Sequence, residues 1–124
     1  MKKRESLLWQ RIKNLKLKGQ IFRLESNTIN GIPDIYWLFK AKSKWIELKS
    51  NTGNKVGLSK YQINWHLKHW QSGGQSFILR ECLSQKEAKS LASFQLFVVR
   101  EPRELVLVCT EPKLTDIFKI IQDA

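Results

Sequence analysis

The chain has 124 residues, of which 42% are hydrophobic, and it carries 22 Lys and Arg against 11 Asp and Glu, a formal net charge of +11. This composition excludes an intrinsically disordered chain, and no apolar run approaches the roughly 20 residues of a membrane-spanning helix. The length predicts a single domain, residues 1–124, and the net charge predicts a strongly cationic surface. Because two cysteines are too few for a disulfide framework, we expect this domain to be cytoplasmic.

Hydrophobic spacing and turn residues predict six elements in the first 81 residues, in the order α-β-β-β-α-β. The predicted elements are a helix over 5–18, strands over 20–25, 33–39 and 44–49, a helix over 59–71 and a strand over 75–81. Only the polar segment 40–43 separates the second strand from the third, which predicts a β-hairpin. Ser59 lies at the expected N-cap of the second helix.

Four more elements are predicted in the rest of the chain. They are a helix over 85–94, strands over 96–100 and 104–109, and an amphipathic helix over 113–122. The sequence therefore predicts an α/β fold with a core of about residues 5–81 and a C-terminal β/α extension of about residues 82–124.

The positive charge is concentrated in the first half of the chain. Residues 1–62 carry 14 basic and four acidic side chains, whereas residues 63–124 carry eight and seven. Clustered Lys and Arg are what phosphate contacts require, because binding a polyanion releases its counterions. We therefore expect a nucleic acid as the partner rather than a membrane.

Two short charged motifs belong to the predicted hairpin. The segment 31–34 ends in Asp34, and Glu47 and Lys49 lie two residues apart on the second hairpin strand. Because side chains alternate along a strand, Glu47 and Lys49 project from one face while Ile46 and Leu48 project from the other. We expect the apolar pair to lie in the core and the charged pair to face a cleft.

The hairpin register decides whether these groups meet. A turn centred between positions 41 and 42 pairs Asp34 with Lys49 and Tyr36 with Glu47. Asp34 and Glu47 are then diagonal neighbours, roughly 7–8 Å apart at Cα. Two carboxylates at that separation can share a divalent cation, and Lys49 stands beside it.

Such a set of groups suits the hydrolysis of a phosphodiester. A Mg²⁺ ion held by Asp34 and Glu47 would acidify a bound water and neutralise developing negative charge. Lys49 could orient or deprotonate the water, or stabilise the pentacovalent state; the residues leave these roles open.

The motifs resemble the PD-(D/E)XK nuclease superfamily, with Pro33-Asp34 as PD and residues 47–49 as (D/E)XK. Together with Ser59 and Gln62 they are similar to the VRR-NUC group and to related Holliday-junction resolvases. The resemblance implies a restriction-endonuclease-like core, in which helices flank a mixed central sheet. It also implies an activity that depends on Mg²⁺ or Mn²⁺.

The resemblance further implies additional site residues. The backbone carbonyl of Leu48 is expected to contact the metal, and Gln62 is expected to line the site. Several relatives add a glutamate from the first helix, for which Glu5 is the candidate and Glu25, on the first strand, the competitor. Favourable charge at a helix N-terminus is an alternative explanation of Glu5.

Other polar residues are candidates for DNA contact. The candidates, which lie in the loop after Lys49 and along the second helix, are Lys55, Ser59, Lys60 and His66. His66 and His69 could form a metal-binding pair, but no third soft ligand accompanies them, so hydrogen-bonded or phosphate-contacting rings are favoured. At the hairpin tip, Lys40, Lys42 and Lys44 could follow DNA phosphates or protect a sheet edge.

The expected function is a metal-dependent DNA endonuclease selective for branched DNA such as a four-way junction. The second helix has more apolar surface than one small sheet covers, which predicts a homodimer. One alternative is a restriction-type or homing endonuclease on the same core. The other is a non-catalytic nucleic-acid-binding module, in which Asp34 only starts a turn and Glu47 and Lys49 form an exposed strand pair.

Overall fold

The structure is a computed structural model that describes residues 3–24, 31–83 and 91–124. Its three helices and six strands, in chain order, are α1 (Lys3–Asn14), β1 (Gln20–Arg23), β2 (Ile35–Phe39), β3 (Lys42–Asn51), α2 (Lys60–Gln71), β4 (Gln75–Leu83), β5 (Leu91–Arg100), β6 (Glu104–Glu111) and α3 (Leu114–Asp123). Within these ranges, none of the helices combines the length and the apolar character required to cross a bilayer.

The six strands form one mixed sheet in the order β1-β2-β3-β4-β5-β6. β3 and β4 are parallel and are joined through α2, and every other neighbouring pair is antiparallel. The predicted α/β class is therefore confirmed. β5 and β6 belong to the predicted C-terminal extension, and they continue the same sheet.

Helices cover both faces of the sheet. α1 and α3 pack on one face, where the buried apolar residues of β2 to β5 include Ile46 and Leu48. α2 packs on the other face, mainly against β4 and β5, through Leu67, Ile78 and Val99. The alternation along β3 follows the prediction, because Ile46 and Leu48 lie in the α1/α3 layer.

The predicted hairpin register was wrong by two residues. The turn consists of only Lys40 and Ala41, with φ values of 50° and 64°, so Ile35 pairs with Ile46 instead of Leu48. A two-residue turn with positive φ at both positions matches the right-handed twist of its strands. Because the shift is even, each side chain keeps its face, and the continued register sets Asp34 opposite Glu47.

The predicted helix over 85–94 is also wrong in its described part. Residues 84–90 lie outside the described residues, and Leu91–Phe94 form the start of β5. Phe94, Leu96 and Val98 are buried in the layer of α1 and α3, and such alternate burial is a property of strands. The strand therefore begins five residues before its predicted start at 96.

Lys44 does not lie free at the hairpin tip. Its side chain is buried, and its ammonium group donates hydrogen bonds to the carbonyl oxygens of Ile121 and Gln122 at the end of α3. Burial, followed by the charge of Lys42, lowers the pKa of Lys44. The predicted roles in following DNA or protecting an edge therefore do not apply to Lys44, because its charge caps a helix C-terminus.

Candidate metal-dependent active site

Asp34 lies where β2 begins, against the middle of β3. Its Oδ2 accepts a hydrogen bond of 2.8 Å from the backbone N–H of Leu48. The backbone carbonyl of Asp34 accepts a second bond from the N–H of Leu24, which follows β1. These two bonds hold the Asp34 carboxylate beside the Glu47–Lys49 segment.

Glu47 is buried beside that carboxylate. Its side chain is 3% exposed, and its Oε1 has no hydrogen-bond partner among the described residues. Burial raises the pKa of Glu47 to about 10, and the negative charge of Asp34 and a hydrogen bond with it act in the same direction. A buried carboxyl oxygen without a partner is costly unless a cation or a donor reaches it.

Two further predicted groups act electrostatically on Glu47. The ammonium group of Lys49 lowers the pKa of Glu47, and the carboxylate of Glu5 raises it. Asp34, Lys49 and Glu5 therefore all lie close enough to Glu47 for their charges to affect it. Glu25, the competitor of Glu5, lies outside the described residues.

The backbone of Leu48 adds a potential oxygen donor. The N–H and C=O of one strand residue point to the same side, so the Leu48 carbonyl faces the side on which Asp34 lies. In the observed register the position opposite Leu48 is that of Pro33, and proline has no N–H for the ladder. The carbonyl therefore has the orientation that the prediction requires.

The donor set fits a hard divalent cation. Two carboxylates and a carbonyl offer only oxygen ligands, and Mg²⁺ commonly takes one or two carboxylates and keeps several waters. No group of three or more His, Cys, Asp or Glu side chains in the described part of the chain is arranged to hold a metal ion. Asp34 and Glu47 would therefore hold such an ion together with water molecules.

A glycine brings the Asp34 loop onto α2. Gly31 has a φ of +84°, and a Cβ atom on it would lie 2.3 Å from the carbonyl oxygen of Tyr61. Only glycine fits such an approach, so the segment 31–34 rests on the first turn of α2. Gln62 lies in that turn, where its Oε1 accepts a 2.9 Å bond from the Ser59 N–H in a capping box.

The predicted DNA contacts do not share one environment. Lys55, Ser59 and Lys60 are exposed at or before the start of α2. His66 is fully buried, with its Nδ1 2.7 Å from the Ser76 hydroxyl and its pKa lowered by burial to about 4. The predicted phosphate contact of His66 is therefore excluded in this conformation, because the ring lies between α2 and the sheet.

The sequence analysis missed Arg80, which pairs in register with Lys49. The buried guanidinium donates hydrogen bonds to the side chain of Asn51, to the carbonyl of Gly53 and to the side chain of Gln95, at 2.6–3.0 Å. Arg80 thus holds the loop that follows Lys49 against the sheet. The available signal was an arginine directly after the apolar run Phe77–Leu79 of a predicted strand.

Comparison with known proteins does not identify this site. No protein-family model matches the chain, and no curated protein matches it in sequence. Its chemistry is therefore inferred from the geometry of Asp34, Glu47 and Lys49.

Proposed function

We propose that the protein is a divalent-metal-dependent DNA endonuclease of the PD-(D/E)XK type. The observation that carries the proposal is the pair formed by the buried Glu47 and the half-buried Asp34, in which one Glu47 oxygen lacks a partner among the described residues. Lys49, two residues further along the same strand, adds a cation at the edge of the pair. The order of β1 to β4, with α2 joining the parallel strands β3 and β4, supports the same assignment.

Each residue of the site has a definite task in this proposal. The N–H of Leu48 orients the Asp34 carboxylate, and the chain around Glu47 excludes bulk water from the second carboxylate. When bound, Mg²⁺ supplies an acidified water and neutralises charge on the phosphate. The Lys49 ammonium stabilises the negative charge that develops on the phosphate oxygens.

The charge distribution supports DNA as the substrate. The first half of the chain, which contains the whole proposed site, carries 14 of the 22 basic side chains. Clustered cations attract phosphates without reading bases, so we propose selectivity for branched DNA shape rather than for a sequence.

The direct test is a cleavage assay on four-way-junction, flap and linear duplex DNA, with Mg²⁺ and with EDTA. We expect the wild-type protein to cut branched DNA only with Mg²⁺. Asp34→Asn, Glu47→Gln and Lys49→Ala should each lower the rate by a factor of about 100 or more. Asp116→Asn and Lys119→Ala, at exposed positions on α3, are the matched controls and should cleave normally.

Other outcomes would overturn the proposal in distinct ways. Cleavage that persists in EDTA, or in both carboxylate variants, would exclude the Asp34–Glu47 site. Cutting of linear duplex at one sequence would indicate the restriction-type alternative. DNA binding without cleavage by any form of the protein would indicate a non-catalytic binding module.

A further inference from the structure

A continuous series of aromatic rings crosses the sheet next to the proposed site. Phe22 on β1, Tyr36 on β2 and Trp45 on β3 are neighbours, with ring centroids 5.2 and 5.0 Å apart. Trp65 and His69 of α2 extend the series, at 5.5 Å from Trp45 to Trp65 and 4.7 Å from Trp65 to His69. We call these five residues the aromatic row.

The aromatic row lies two residues along the strands from Asp34 and Glu47. Trp45 precedes Glu47 by two residues on the same face of β3, a distance of roughly 6.5 Å, and Tyr36 follows Asp34 by two residues. α2 packs mainly against β4 and β5, so most of its contacts with the sheet lie away from β1 and β2. Phe22, at the edge of the sheet, is 45% exposed.

Basic side chains lie near the aromatic row. Tyr61, one helical turn before Trp65 on α2 and outside the row, is 51% exposed, and the Lys60 ammonium lies 5.3 Å from its ring centroid. Lys49 lies on the same strand and face as Trp45. Accessible aromatic rings beside basic side chains are typical of surfaces on which the bases of a single strand stack while its phosphates contact cations.

We propose that the aromatic row binds unpaired nucleotides of the DNA strand that enters the active site. In a paired duplex the base faces are stacked on one another, so only a strand with unpaired bases can stack on these rings. The proposal rests on the proposed nuclease function and refines its substrate class: a branched DNA with a single-stranded arm is preferred over a fully paired junction.

Phe22 is the residue with which to test this surface. Its exposure means that its loss leaves no large cavity, and Leu107, 49% exposed on the opposite edge strand β6, offers a matched control. Binding of fluorescent oligothymidine and of a blunt duplex is measured by anisotropy in EDTA, so that it does not depend on cleavage. The variants are Phe22→Ala, Phe22→Leu, Phe22→Tyr and Leu107→Ala.

We expect Phe22→Ala to weaken oligothymidine binding about 5- to 100-fold, the range that base stacking on one ring supplies. Phe22→Leu should weaken it similarly, whereas Phe22→Tyr and Leu107→Ala should bind like the wild-type protein. Duplex affinity should change less than twofold in every variant. Quenching of the tryptophan fluorescence by oligothymidine, together with its reduction in Trp45→Phe, gives an independent reading of the contact.

Unchanged oligothymidine binding by Phe22→Ala, or an equal loss for oligothymidine and duplex, would overturn the inference. So would normal binding by Phe22→Leu, because apolar contact alone would then suffice. If binding follows the expected pattern but no form of the protein cleaves DNA, the proposed function fails while the single-strand surface stands. If the protein cuts fully paired junctions and flaps equally, the nuclease proposal stands and the preferred substrate is wrong.

Discussion

At the scale of single residues, Glu47 is the most informative side chain of the site. A buried carboxyl group that faces a second carboxyl group is unfavourable in its charged form, so the pKa of Glu47 rises to about 10. A divalent cation held by Glu47 and Asp34 would reverse this effect, because it would attract both negative charges at short range. The burial that makes the charged form of Glu47 unfavourable without a metal ion therefore favours metal binding.

Metal binding should be visible as a gain in stability that depends on Glu47. A ligand that binds only the folded state stabilises it by about 2.7 kcal/mol at a concentration of 100 Kd. We expect Mg²⁺ to raise the melting temperature of the wild-type protein, as measured by circular dichroism, but not that of Glu47→Gln. Asp116→Asn should respond to Mg²⁺ like the wild type. An equal response of Glu47→Gln would show that the ion binds elsewhere.

The buried His66 ring makes the free energy of unfolding depend on pH. Its pKa is lowered by burial from 6.5 to about 4, so between these values the unfolded state binds a proton that the folded state does not. The contribution of His66 to the free energy of unfolding therefore falls as the pH decreases from about 6.5 to 4, by about 3 kcal/mol. The raised pKa of Glu47 acts in the opposite direction above about pH 4.5, so the His66 contribution is obtained by comparing variants. Chemical denaturation at a series of pH values measures this slope.

Replacing His66 tests whether its ring causes this pH dependence of the free energy of unfolding. His66→Gln can keep a hydrogen bond to Ser76 but cannot titrate, so we expect its free energy of unfolding to fall less than that of the wild type as the pH decreases through this range. His69→Gln on the same helix is the comparison and should change the slope less, because the His69 ring is only half-buried. The same slope in His66→Gln and wild type would assign the pH dependence to other groups.

At the scale of elements, the position of α3 depends on a charge from the hairpin. The last carbonyl groups of a helix have no partners within the helix, and the buried Lys44 ammonium donates to those of Ile121 and Gln122. The apolar side of α3 then closes the core above β5 and α1. The hairpin thus stabilises α3 on the face of the sheet opposite to that of Glu47.

We expect Lys44→Met to lower the free energy of unfolding by about 1–3 kcal/mol, because two buried carbonyls lose their charged donor. Lys42→Met is the matched control: Lys42 is exposed, 3.4 Å from the Ala124 carbonyl, and should have little effect. Urea denaturation measures both variants. Equal stability of Lys44→Met and wild type would show that apolar packing alone holds α3.

At the scale of the whole molecule, the uneven charge determines how DNA binding responds to salt. Each phosphate contact contributes about 0.9 to the slope of log affinity against log salt concentration for duplex DNA. The exposed Lys55 and Lys60 near the proposed site are candidates for such contacts. The homodimer expected from the sequence stays a prediction.

We expect Lys55→Gln and Lys60→Gln each to reduce the salt slope by about 1, with a similar loss of affinity for every DNA sequence. Lys119→Gln on α3 is the control and should leave the slope unchanged. Titrations of fluorescent DNA at several salt concentrations give these slopes. An unchanged slope in both loop variants would mean that the phosphates lie on another surface.

Much of this arrangement could be predicted because it depends on short-range periodicity. The two hairpin strands, the Ser59 cap and the faces of Ile46 and Glu47 follow from residues near one another in sequence. The register could not be predicted, since it depended on Lys40 and Ala41 adopting positive φ without glycine. The strand at Leu91–Phe94 was missed because pairing with β4 outweighed a weak helical pattern.

The sequence by itself determined that Asp34, Glu47 and Lys49 belong to two adjoining strands and that the latter two share a face, because alternation is a local property of an extended chain. Only the tertiary structure decided that Asp34 bonds to the Leu48 N–H, that Glu47 is buried and that the His66 ring lies between α2 and the sheet. These features depend on which segments distant in sequence pack together, and no local pattern contains that information.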